Sequence, residues 1–247
     1  MGYDTRFWGP SAWQLFHLIA FFSPNPQEFL LSIKDVLPCK FCRASTAEFT
    51  SVAGPCDDPG RWLYDLHNMV NGKLRKQARE DPTVIDPGPN PTFEEIKMRY
   101  EGLIQAKPTA VPGRDFLFVI ASNHGDADVP DEYVQTLHRM FWTRMAEVYP
   151  FEDLRAIVKA YVHKHPPRVE NRTSYMRWTY GLLVKLSKKV KAPILSYNGY
   201  AQHVSYYKSG CQKKTYKGKT CRKLAGGGYT KQRDHKRTRR VSHRNLL

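Results

Sequence analysis

The chain has 247 residues, enough for one large or two small domains with a proper core. Hydrophobic residues make up 41% and aromatics 13% of it, which excludes a disordered, fibrous or wholly low-complexity protein. The net charge of +16 is unevenly placed: residues 185–247 hold 18 Lys and Arg against one acid, Asp234, whereas residues 1–184 hold 21 basic and 22 acidic residues. The globular part is therefore near neutral, which argues against a nucleic-acid-binding core and for a basic appendage. No run of 18 apolar residues exists, which excludes a transmembrane helix. The apolar stretch 13–22 carries Gln14 and His17 and lacks a basic leader and a small-residue cleavage site, so no secretory signal is expected.

In chain order, Trp13, Phe16, Leu18 and the run 20–22 predict a buried helix over 11–22, stopped by Ser23-Pro24-Asn25-Pro26. A second helix is expected over 26–37. Pro38 opens a third over 39–52, where Phe41, Ala44, Ser45 and Phe49 recur at helical spacing. Past the breaks at Gly54-Pro55 and Pro59-Gly60, Trp62, Leu66, Met69, Val70 and Leu74 mark a fourth, and such short links imply a compact bundle. The proline-rich residues 81–91 read as a loop, and 94–105 as a short fifth helix. Pro108 and Pro112-Gly113 then mark a domain boundary.

Beyond the boundary, residues 116–120 read as a strand or a turn of buried helix. Tyr133, Leu137, Met140, Phe141, Met145 and Val148 follow one helical face, and helices are also expected over 154–161 and 178–186. From about Ala192 periodicity fades into Lys, Arg, Gly and Tyr, with Gly226-Gly227-Gly228, so a flexible basic tail is expected. The fold class is all-α: a bundle over 1–107, a second mainly helical domain over 113–191, and a tail over 192–247.

Five cysteines are present, of which Cys39 and Cys42 form a C-x-x-C. A zinc site would need a second pair or two histidines at ligand spacing, which Cys56 and His67 do not supply, so no metal is expected. A redox role is more natural: Pro38 sets Cys39 at a helix N-terminus, where the macrodipole favours a thiolate. Two clusters flank the pair, Trp8-Gly9-Pro10-Ser11-Ala12-Trp13-Gln14-Leu15-Phe16-His17 before it and His67-Asn68-Met69-Val70-Asn71-Gly72-Lys73-Leu74 after it. Trp13 and His17 lie one turn apart, and His67, Asn71 and Leu74 fall on one helix face. An aromatic surface beside hydrogen-bonding groups suits a flat, polar-edged cofactor, while core packing with a capping His-Asn pair is the alternative use of the same residues.

In order and spacing these three elements resemble the Erv/ALR-type FAD-linked sulfhydryl oxidases, and Phe93 with Arg99-Tyr100 looks like that family's closing element. The resemblance implies FAD held by Trp8, Gly9, Trp13, His17, His67, Asn68, Val70, Asn71, Leu74 and Tyr100. It implies Cys42 as the flavin-proximal sulfur and Cys39 as the exposed sulfur attacked by a substrate thiolate. Electrons from protein thiols would pass through the pair to FAD and on to O2, giving hydrogen peroxide. It also implies a homodimer. Two departures stand out: Leu37 replaces a frequent Tyr, and a structural disulfide of many relatives would fall at Tyr64 and Glu95, where neither residue is Cys. Cys56 matches no family element and is expected as a free thiol.

Relatives often carry a shuttle pair on a flexible arm, and Cys211 with Cys221, among Lys213, Lys214, Lys217 and Lys219, is the candidate here; incidental tail thiols or a loop disulfide are the alternatives. Residues 36–44 align with 148–156, and 61–64 with 177–180, which reads either as a degenerate repeat or as chance similarity between bundles. The cluster 231–240 suits polyanion contact without base specificity, or a solubilising or nuclear-targeting role. Such basic termini look like those of large DNA virus proteins, which sets the expectation of host cytoplasm or virion. The competing function is a non-enzymatic virion or nucleic-acid-associated protein acting through its tail.

Overall fold

The computed structural model describes residues 2–81, 84–125 and 131–209. Among them are ten helices and no strand: α1 Thr5–Phe22, α2 Gln27–Val36, α3 Lys40–Ala53, α4 Pro59–Ala78, α5 Phe93–Gln105, α6 Arg114–Ser122, α7 Glu132–Val148, α8 Glu152–Lys164, α9 Arg172–Lys189 and α10 Tyr197–Ser205. No helix among the described residues is long and apolar enough to cross a membrane. Most starts carry a side-chain cap: Asp4, Asp58 and Asn171 accept backbone N–H groups of α1, α4 and α9, and Thr92 with Glu95 forms a capping box on α5.

Of the two readings open for residues 116–120, the buried helix is the one found: α6 is buried from Phe116 to Ser122 on every side, so its sequence shows no polar face and no helical period. The region after Ala192 is not wholly tail. Ser196 caps α10, whose Tyr200 and Val204 point into the core, and a signal of two buried residues one turn apart is too short to read as periodicity. The chain then pairs with its own start, Asp4 donating to the Tyr207 carbonyl at 2.8 Å and Ser209 to that of Gly2 at 2.9 Å. Cys211, Cys221 and the cluster 231–240 lie outside the described residues.

Residues 108–113 link α5 to α6, and one hydrophobic core holds residues from α1 to α4 of the unit before the link and from α6 to α10 of the unit after it. Like helices face each other: Phe16 of α1 meets Phe116 of α6 edge-on at 5.1 Å, and Phe29 of α2 meets Phe141 of α7 at 5.5 Å. The corners exchange bonds. Ser23, after α1, donates to the Val148 carbonyl at 2.5 Å, and Asn123, after α6, donates to the Pro38 carbonyl at 2.8 Å.

The same contacts occur in both units. Arg43 donates to the Leu37 carbonyl at 2.5 Å, and Arg155 to the Tyr149 carbonyl at 2.8 Å. The Trp62 indole N–H donates to Gly54, which ends α3, and that of Trp178 donates to His165, which ends α8. Arg61 and Tyr64 pack on Phe93 as Arg177 and Tyr180 pack on Tyr197, with guanidinium-to-ring distances of 5.3 Å in both. The hydroxyls of Tyr64 and Tyr180 each donate to a carbonyl two residues before that ring, Pro91 and Leu195.

Gly113 makes the link between units. It takes the left-handed conformation at φ +73°, and a Cβ there would lie 2.4 Å from Leu15 Cδ2. Gly113→Ala combines that backbone penalty with overpacking, about 2–4 kcal/mol in total. The expected drop in thermal midpoint is roughly 5–15 °C for a chain of this size, measured by calorimetry.

Candidate active site

Cys39 is the N-cap of α3, and its sulfur accepts the Cys42 backbone N–H at 3.3 Å. The Cys42 thiol, the N–H groups of Cys42 and Phe41 and the nearby Arg43 together outweigh burial and bring the Cys39 thiol down to about 7. Close to half of it is thus thiolate at neutral pH, as its helix N-terminal position dictates. Exposure runs opposite to expectation: Cys39 is 1% exposed, whereas Cys42 is only partly buried. The reason is tertiary, since residues 36–39 are all buried where α2 packs on α7 and where Asn123 seats on Pro38.

Four of the residues expected at a cofactor site form one aromatic column. Trp13 of α1 stacks on His67 of α4 at 3.8 Å and 7°. His67 Nδ1 lies 3.0 Å from His17 Nε2, and the His17 ring stacks on Tyr100 of α5 at 4.8 Å. Burial, with the neighbouring His67 and Arg99, holds the His17 imidazole well below the usual histidine range, and burial alone takes His67 down to about 4. Two neutral rings therefore share one proton between facing nitrogens.

The rest of the set is dispersed. The side chain of Asn71 donates to Asn90 at 3.2 Å, and Arg75 binds the same Asn90 oxygen, pinning the 84–92 loop to α4. Asn68 lines an open cleft of about 540 Å³ with Val52, Ala53 and Trp62. Val70 and Leu74 are partly exposed on α4, and Gly9 is partly exposed on α1. Trp8 stands apart from the column: it is buried against Phe116 of α6, with its indole N–H on the Tyr3 carbonyl. Lys73, overlooked as a site residue although it sits inside the second cluster, ties α4 to α3 through the Ser45 hydroxyl, one turn beyond Cys42.

FAD fits the residues present. His17 Nδ1 is buried without a hydrogen-bond partner, a costly state in an aromatic setting unless a ligand supplies one. Residues 67–75 of α4 are neither buried nor fully exposed. Cys56 is different: it is a buried free thiol pushed up to about 11 by burial and by Asp57 and Asp58, which makes it inert beside Cys39.

Residues 10–87 match the model of the Erv1 / Alr family. The chain is 29% identical over 86 residues to the mitochondrial FAD-linked sulfhydryl oxidase ERV1 of Saccharomyces cerevisiae, covering 30% of this chain and 46% of that protein. The chain thus spans about half the length of the curated relative it matches. No solved structure matches the chain.

The neutral histidines fix a pH dependence. Unfolded histidine takes up a proton near 6.5, while His67 resists protonation until about 4, so the unfolded state binds more protons between these values. Stability is complete above pH 6.5 and is lost as pH falls towards 4, with His17 and His138 adding the same sign. The thermal midpoint should fall by several degrees between pH 7 and pH 5; an unchanged midpoint would contradict the neutral column.

Proposed function

We propose, from the match of residues 10–87 to the Erv1 / Alr family, that the protein is an FAD-dependent sulfhydryl oxidase that installs disulfides in protein substrates. The observation that carries the proposal is a cysteine pair at the start of α3, with the Cys39 thiol brought down to about 7, in the same bundle as an aromatic column whose buried His17 Nδ1 lacks a partner.

FAD would be held by Trp13, His17, His67 and Tyr100, with Asn68, Val70, Asn71 and Leu74 along α4. When bound, it supplies two-electron transfer from a dithiol to O2, which yields hydrogen peroxide. The chain's own residues do the thiol chemistry. A substrate thiolate attacks Cys39 Sγ of the Cys39–Cys42 disulfide, forming a mixed disulfide and releasing Cys42 as thiolate. A second substrate thiolate then displaces Cys39, whose thiolate the α3 N-terminus stabilises, so the substrate is oxidised and the pair reduced by two electrons. The Trp13–His67 stack excludes water from one side of the site, and the neutral His17–His67 pair presents hydrogen-bonding nitrogens rather than a cation.

Helices α6–α10 are proposed to be a second copy of the five-helix unit without this chemistry. At equivalent positions Phe151 and Leu154 stand for the two cysteines, and Leu183 and Ser187 for His67 and Asn71. Leu154, Leu183 and Ser187 are buried, so the corresponding space is filled by the chain itself.

Cys211 and Cys221 are proposed to shuttle oxidising equivalents to substrates. Ser209, two residues before Cys211, is anchored on Gly2. Tyr3 of that same segment contacts the Ser122 hydroxyl, next to the Asn123 that seats on Pro38. Twelve residues from Ser209 to Cys221 reach up to ~40 Å. Replacing both cysteines with Ser should lower turnover on a protein thiol by on the order of tenfold while leaving turnover on dithiothreitol unchanged.

The test of the main proposal is an absorbance spectrum before and after anaerobic dithiothreitol, with peroxide measured once air is admitted. A flavin band that bleaches and recovers with peroxide is expected, and Cys42→Ser should keep the band and lose dithiol-dependent peroxide. A protein that stays colourless with added FAD would overturn the oxidase proposal, and turnover retained in Cys42→Ser would overturn the role given to Cys42.

A further inference from the structure

Cys39 combines two properties that pull apart. Its thiol is tuned for exchange, yet its side chain is 1% exposed, and Val36, Leu37 and Pro38 before it are buried with it. What presses on this corner comes from the second unit. Asn123, the residue that ends α6, donates Nδ2–H to the Pro38 carbonyl at 2.8 Å, one peptide from Cys39. Its own Oδ1 is buried without a partner, so the side chain is held for that single bond.

Behind Asn123 the second unit is stiff. His124 Nε2 pairs with the Val169 carbonyl at 2.7 Å. The His124 ring packs edge-on against His138 of α7 at 4.4 Å, and His138 Nδ1 lies 3.2 Å from the Tyr175 hydroxyl, which also accepts the Trp142 indole N–H at 2.6 Å. On the other side Arg43 is spent on the Leu37 carbonyl. The corner is therefore clamped between a rigid aromatic network and a single amide hydrogen bond.

We propose that the end of α6, through Asn123, is a specificity-determining cover over Cys39. Exchange at this sulfur proceeds only from the minor population in which the Asn123–Pro38 contact is open. The opening is narrow, because Pro38 is hemmed in by both units, so the substrate class is a thiol on a slender, extended segment; cysteines recessed in the surface of a folded protein are excluded. This rests on the oxidase reading for its meaning but not for its test.

The test is peptide-resolved labelling of the reduced full-length protein with N-ethylmaleimide, with glutathione as reference and Cys56, buried in the first unit alone, as internal control. In the unaltered protein Cys39 should label at least roughly tenfold more slowly than glutathione at the same thiolate fraction. Asn123→Ala, which removes one hydrogen bond, should raise the Cys39 rate about fivefold, the equivalent of ~1 kcal/mol, while leaving Cys56 unchanged. Asn123→Asp, which sets a carboxylate against the Pro38 carbonyl, should raise it further. Labelling of Cys39 at the glutathione rate, no change in either variant, or an equal rise at Cys56 would each overturn the cover. Because labelling needs neither flavin nor turnover, failure of the oxidase proposal and failure of the cover are read separately.

Discussion

Helix α1 is buried on every side from Leu15 to Ala20, and the remaining architecture follows from how its faces are used. Leu15, Phe16 and Ile19 are at most 2% exposed within the shared core, with Phe16 against Phe116 of α6. A different face carries Trp13 and His17 to α4 and α5, where they build the aromatic column. A single helix can serve both neighbours only if the link between units passes very close to it, which is why Gly113, left-handed and without a Cβ, sits against Leu15. The site and the second unit are therefore two sides of one helix.

Outside the aromatic column, ring packing and helix caps tie neighbouring helices, as Tyr64 and Glu95 illustrate. Tyr64 packs edge-on against Phe93 and bonds the Pro91 carbonyl, while Glu95 closes the capping box with Thr92. Together they hold α4 to the start of α5 without a covalent link.

Much of the candidate site was legible because its residues are close in sequence and share helix faces. Trp13 with His17, and His67 with Asn71, are spaced one turn apart, so the helical period alone puts each pair on one side. A residue inside a motif need not face the same way as its neighbours: Trp8, five positions before Trp13, is turned into the core against α6. Helix α6 was obscure for the opposite reason, since an element buried all round loses the alternation that betrays it. The burial of Cys39 had no signal at all, because Asn123 lies 84 residues away in sequence and carries no pattern of its own.

Local chemistry was thus settled by the sequence: an all-α chain, a cysteine pair at a helix start, and histidines and amides phased onto helix faces. These depend on interactions within a few residues, which composition and period encode directly. The tertiary structure alone decided that the helices before and after residues 108–113 share one core, that the two histidines meet nitrogen to nitrogen, and that Cys39 is buried at a corner the second set of helices touches. Each of those depends on surfaces brought together across the chain, where packing of buried rings and single hydrogen bonds between corners, rather than local preference, selects the arrangement.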